Sequence, residues 1–167
     1  MTTVCEEDIL TNFSSSLLQA VEKIACEGRF QWRRDNGYAF LGVSNQFGFE
    51  SLLPGLYEKG FRVRWNIRKR RYPAAHISFM VPDEYGSVDD SFLLALEEEL
   101  SGKKISFSIE GVKMMQHVEK DTKKKFWLIA YKVKGEELMQ IREKLGLKKR
   151  EIFNSHLTVL ELEIVQS

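Results

Sequence analysis

Residues 76–81 read HISFMV, and residues 156–165 read HLTVLELEIV. Each stretch opens with His-x-(Ser/Thr) and continues as an apolar run of strand length. Residues two apart in a strand share a face. His76 and Ser78 therefore point one way, and Ile77 and Phe79 the other. His156 and Thr158 repeat this against Leu157 and Val159. Each motif offers an imidazole and a hydroxyl to one surface and gives its apolar residues to a core. The chain holds 3 His, 13 Ser and 5 Thr. Chance alone would put a hydroxyl two places after two of three histidines only about 3–4% of the time, so the repeat carries information.

Working outward, both motifs follow a basic segment. Arg68, Lys69, Arg70 and Arg71 precede the first, and Lys148 to Arg150 precede the second. Phe61 to Asn66 (FRVRWN) alternates apolar and basic residues as a strand, with Arg62 and Arg64 turned away from the core. Ile105 to Val118 and Phe126 to Val133 read as strands around a hairpin tip at 119–125. Asp89 to Leu100 and Gly135 to Leu145 read as helices, each followed by a glycine stop. Residues 46–59 read as a short helix interrupted near Pro54. Tyr38 to Val43 is an apolar strand after the Asp35-Asn36-Gly37 turn. The first 26 residues read as a helix, with Ile9, Phe13, Leu17, Val21 and Ile24 on one face.

From Tyr38 onward, each half of the chain ends in a basic loop and a His-strand. That order predicts an α+β domain of two similar lobes. A length of 167 residues fits one domain, and 43% apolar with 29% charged residues is the balance of a globular protein. The predicted division is an N-terminal helical extension over 1–36 and a core over 37–165. No apolar run approaches the roughly 20 residues that span a bilayer, so no membrane association is expected. The N-terminus lacks a signal-peptide pattern, and Cys5 and Cys26 stand alone. A cytoplasmic protein with reduced thiols is the expectation, and zinc is not.

Two imidazole–hydroxyl pairs around a phosphate make a complete acid/base set. A neutral histidine takes a proton from the attacking hydroxyl or water, and a protonated one gives a proton to the leaving oxygen. Ser78 and Thr158 would donate to the non-bridging oxygens. The scheme needs no metal and no cofactor. His117 has Glu119 two places on and fails the motif. A charge run is usually a solvated face, but Arg68 to Arg71 precedes the first motif directly, which makes phosphate steering the competing role. Arg64, Arg71, Tyr72 and Phe153 are the further candidates for substrate contact, the two aromatics as stacking surfaces.

The HISF and HLTV motifs, 80 residues apart within this element order, resemble the two-histidine (2H) phosphoesterase superfamily. That group includes 2′,5′-RNA ligase-like proteins and cyclic phosphodiesterases, and the Swiss Army Knife 2H domains are one branch. The resemblance covers residues 37–165. It implies a bilobal fold with two pseudo-symmetric antiparallel sheets flanked by helices, to which this chain adds an N-terminal helix. It implies catalytic His76 and His156, and phosphate binding by Ser78 and Thr158. It also implies a nucleotide or RNA phosphate ester as substrate: a 2′,3′-cyclic phosphate, a 2′,5′ linkage or an RNA 3′ end. The alternative is a non-catalytic RNA- or nucleotide-binding module of the same fold. A monomer is expected, with the N-terminal helix as a candidate protein contact.

Overall fold

The N-terminal helix α1 (Glu6–Val21) buries Leu10, Phe13 and Leu17, spaced by three and four residues. Glu6, Glu7 and Asp8 occupy its first turn, where negative charge favours the helix dipole. The computed structural model describes residues 5–21, 26–43, 49–66, 75–148 and 156–165. Ile24, expected on the same helical face, lies outside them.

The expected helical extension over 1–36 is corrected at its second half. Cys26–Trp32 is a strand, β1, paired with two neighbours. The reason is a period of two: Cys26, Gly28, Phe30 and Trp32 face the core shared with the helices, while Glu27, Arg29 and Gln31 are more exposed. β2 (Ala39–Val43) forms a hairpin with β1, so a core boundary at 37 would cut that hairpin.

A 3-10 turn at Glu50–Leu52 leads into α2 (Leu53–Glu58). Pro54 sits in its first turn, where a missing N–H costs no intrahelical bond. β3 (Phe61–Asn66) and β4 (His76–Ser78) follow, the latter shorter than the apolar run to Val81. α3 (Asp90–Glu99) is capped by the Asp89 side chain, which accepts from the Ser91 N–H. It buries Leu93 and Leu96 and leaves Phe92 exposed. β5 (Ile105–Val118) and β6 (Lys125–Lys134) form a long hairpin, and α4 (Glu136–Lys144) leads toward β7 (His156–Ile164).

All seven strands belong to one antiparallel ladder in the order β3-β7-β4-β2-β1-β5-β6. β7 also pairs with β6, which closes β7, β4, β2, β1, β5 and β6 into a six-strand barrel with β3 attached to β7. The class is α+β as expected, but the two expected sheets are joined by continuous hydrogen bonding.

One face of the sheet packs with the helices. Ile77, Leu41, Leu157, Tyr131 and Ile105 share a core cluster with Leu10 of α1, Leu93 of α3 and Leu138 of α4. A closed six-strand ring has no room for helices inside it, so this face is the outer one. Tyr38, Phe40 and Ala130 are buried too, yet they stand outside that cluster. They belong to the inner face, which carries the histidines.

Candidate active site

β4 and β7 are antiparallel neighbours with Ile77 opposite Leu157. Antiparallel geometry then sets His76 opposite Thr158, and Ser78 opposite His156. Opposed positions have Cβ atoms about 4.5–5.5 Å apart, and diagonal ones about 7–8 Å. The two histidines are such a diagonal pair, so one phosphate between them can meet both imidazoles. The apolar partners drive this pairing. Ile77 and Leu157 are both fully buried on the outer face. A one-residue slip in either strand would turn that strand's two polar groups into the core.

The two hydroxyls differ. Ser78 donates to the Met80 carbonyl at 2.6 Å and accepts from the Met80 N–H at 3.2 Å. Its proton is engaged in holding the turn after β4, not directed at the inner face as the sequence implies. Among the described residues the Thr158 hydroxyl has no hydrogen-bond partner.

His76 stands against two aromatic rings of β2 and its approach. Tyr38 meets it edge-on with centroids 6.1 Å apart, and Phe40 at 5.9 Å. Tyr38 also packs on Tyr85 at 4.6 Å. Burial pushes the Tyr38 phenol up to about 12. These rings restrict where the His76 imidazole can turn.

On the other side, Lys132 of β6 lies directly opposite His156, and Ala130 opposite Thr158. Lys132 is exposed, with its stem over Gly111. It places a positive charge on the same face as the histidines.

A buried ion pair ties the end of β4 to the segment that follows α4. Arg142 of α4 is 2% exposed. It donates to the Phe79 carbonyl, one residue past β4, at 2.7 Å and to the Lys148 carbonyl, on the way to His156, at 2.9 Å. It also makes a two-pronged pair with Glu84, at 2.9 and 2.8 Å. Glu84 also accepts from the Val81 N–H at 2.9 Å.

Of the other candidates, Arg71, Tyr72 and Phe153 lie outside the described residues. Arg64 stands apart from the histidines. The ladder skips it between Val63 and Trp65, and its guanidinium lies 4.3 Å over Phe126 and pairs with Glu119 at 3.3 Å. Phe126 is six residues along β6 from Lys132, about 20 Å at the rise of a strand. His117 stacks on Phe126 at 5.5 Å and is equally remote. Sequence reading missed Tyr38, Phe40, Lys132, Glu84 and Arg142. Tyr38 and Phe40 were legible only as an apolar strand, and Lys132 only as a polar residue in one. Their relation to the histidines depends on register. Among the described residues, no group of three or more His, Cys, Asp or Glu side chains is arranged to hold a metal ion, and no helix is long and apolar enough to cross a membrane.

The family model described as Swiss Army Knife, 2H phosphoesterase domain, matches residues 57–161. No curated protein and no solved structure shows significant similarity to the chain. The match takes in both motif strands, α3, the β5–β6 hairpin and α4, and leaves out α1, β1 and β2.

Proposed function

Because the chain belongs to the Swiss Army Knife 2H phosphoesterase family, we propose that it is a metal-independent phosphodiesterase acting on a nucleotide or RNA-end phosphate. The observation that carries this reading is the pairing of Ile77 with Leu157, which sets the two His-x-(Ser/Thr) motifs side by side on the inner face. One histidine accepts the proton of the attacking hydroxyl or water while the other protonates the leaving oxygen. Thr158, with an uncommitted hydroxyl, donates to a non-bridging oxygen as charge builds there. Lys132 adds a positive charge beside His156. Ser78 shares the phosphate only after releasing the Met80 carbonyl, and otherwise fixes the end of the His76 strand. The crosswise arrangement, each histidine opposite the other motif's hydroxyl, supports the reading of two pseudo-symmetric lobes.

The test is a substrate screen of wild type, His76→Ala and His156→Ala. It uses 2′,3′-cyclic nucleotides, 2′,5′-linked dinucleotides and short RNAs with free 3′ ends. Each variant should lose at least a hundredfold in turnover with its thermal transition in place, and EDTA should leave wild type unaffected. Unchanged turnover in both variants, or EDTA inhibition reversed by a divalent ion, would sink the mechanism. Ligand binding without product over long incubation would move the reading to a binding module.

A further inference from the structure

Gly42 of β2 lies directly opposite His76. The place its side chain would occupy is already filled. A Cβ built there would stand 2.7 Å from Nε2, 3.1 Å from Cδ and 3.5 Å from Oε1 of Gln31. Gln31 comes from β1, where it is opposite Phe40, and Phe40 is in turn opposite Ser78. The carboxamide is therefore on the histidine face, one strand from His76, while the residue remains exposed. The glycine is what admits it.

A carboxamide presents an acceptor and two donors side by side. That is a poor match to a phosphate, whose oxygens only accept and would be repelled by Oε1. It matches a planar edge that carries a donor next to an acceptor, as nucleobases do. The adjoining wall is aromatic, made by Phe40 and Tyr38. Neither β1 nor β2 falls within residues 57–161, so this wall is added by the chain to the matched segment.

We propose that Gln31, seated in the notch of Gly42, is a specificity-determining residue that reads the base edge of a nucleotide held at His76 and His156. The inference rests on the proposed function for its site, and it deepens that reading by naming what the site discriminates.

Two variants perturb the contact independently. Gln31→Leu keeps the bulk and removes the hydrogen bonds. Gly42→Ala drives a methyl group into the carboxamide. Thermal unfolding checks that each is folded. The substrates are the four 2′,3′-cyclic nucleotides and bis(p-nitrophenyl) phosphate, a diester without a base. For the base that wild type prefers, kcat/KM should fall roughly tenfold in Gln31→Leu relative to the base-free diester, the scale of one or two hydrogen bonds. Gly42→Ala should fall in the same direction, and the preference among bases should flatten in both. A preference that survives Gln31→Leu, an equal fall on both substrate types, or a wild type indifferent to the base would overturn the proposal.

A binding arm separates this failure from failure of the catalytic reading. Calorimetric titration with the four nucleoside 2′-monophosphates and with inorganic phosphate needs no turnover. If wild type discriminates among bases and Gln31→Leu does not, the assignment stands even where no diester is cleaved. If wild type binds all four equally, or none, it falls.

Discussion

Glu84→Ala is the sharpest single perturbation of this molecule. It removes the carboxylate that takes two bonds from Arg142 and one from the Val81 N–H. Arg142 keeps the Phe79 and Lys148 carbonyls, but its charge is left in a place only 2% exposed. Removing one partner of a buried pair typically costs about 3–5 kcal/mol, because the remaining ion stays desolvated. For a chain of this size, each kcal/mol is worth about 2–4 °C in Tm, so the transition should drop by about 6–20 °C. Urea unfolding with a free m-value is the assay, so that a change in midpoint is separable from a change in compactness. Glu84→Leu with Arg142→Met removes both charges and should recover part of the loss. It should still fall short of wild type, since the Phe79 and Lys148 carbonyls lose their donor. A loss below about 1 kcal/mol for Glu84→Ala, or a double variant no better than the single, would refute the account of the pair as a buried clamp.

Four further outcomes follow from the same structure. The Tyr38 phenol is raised from its ordinary 10 to about 12 in the folded state. The unfolded chain therefore loses this proton first, and the associated stability, complete below pH 10, declines as pH rises toward 12. Tyr38→Phe should flatten that decline in urea midpoints measured between pH 9 and 11.5, and an unchanged slope would remove Tyr38 as its source. Gly28→Ala places a Cβ 2.6 Å from the Gly42 carbonyl oxygen and 2.8 Å from Leu41. The hairpin must spread, at about 1–3 kcal/mol by chemical unfolding. Ile77→Ala opens a cavity under the pairing of the two motifs, at about 2–5 kcal/mol, and activity measured well below the shifted Tm should still be reduced. Lys132→Ala should raise KM for an anionic diester by a few fold, with a weakened dependence on salt and little effect on stability.

Much of the fold was readable because it is written in local periodicity. β3 and β5 run over the expected residues, β3 because it alternates throughout and β5 because it alternates from Ile105 to Glu110 and carries apolar residues on to Val118. β1 escaped because its core-facing positions include Gly28 and Cys26, which carry little of the β-branched signal by which a strand is recognised. The two histidine motifs were legible from spacing alone. Their crosswise register was not, because pairing is decided by distant partners. Skips in the ladder at Arg64, Glu110 and Val159 leave no mark on composition. Arg64, at one of them, lies against Phe126 and Glu119, away from the histidines. Arg142 adjoins Ile141, a residue of the apolar stripe of α4, and reads as a surface charge until Glu84, 58 positions earlier, is placed beside it.

The position of β7 in the ladder bears on synthesis. It pairs with β3, β4 and β6, three strands that all precede it in the chain. Until residues 156–164 leave the ribosome, those strands keep unpaired edges that invite association with other nascent chains. The barrel cannot close earlier, and His76 waits without its counterpart. The step that seals the edges also brings in His156, so a truncated or stalled product should be inactive and prone to aggregate together. Every contact that joins the two motifs spans a long stretch of sequence, which favours slow, late assembly of this part of the sheet.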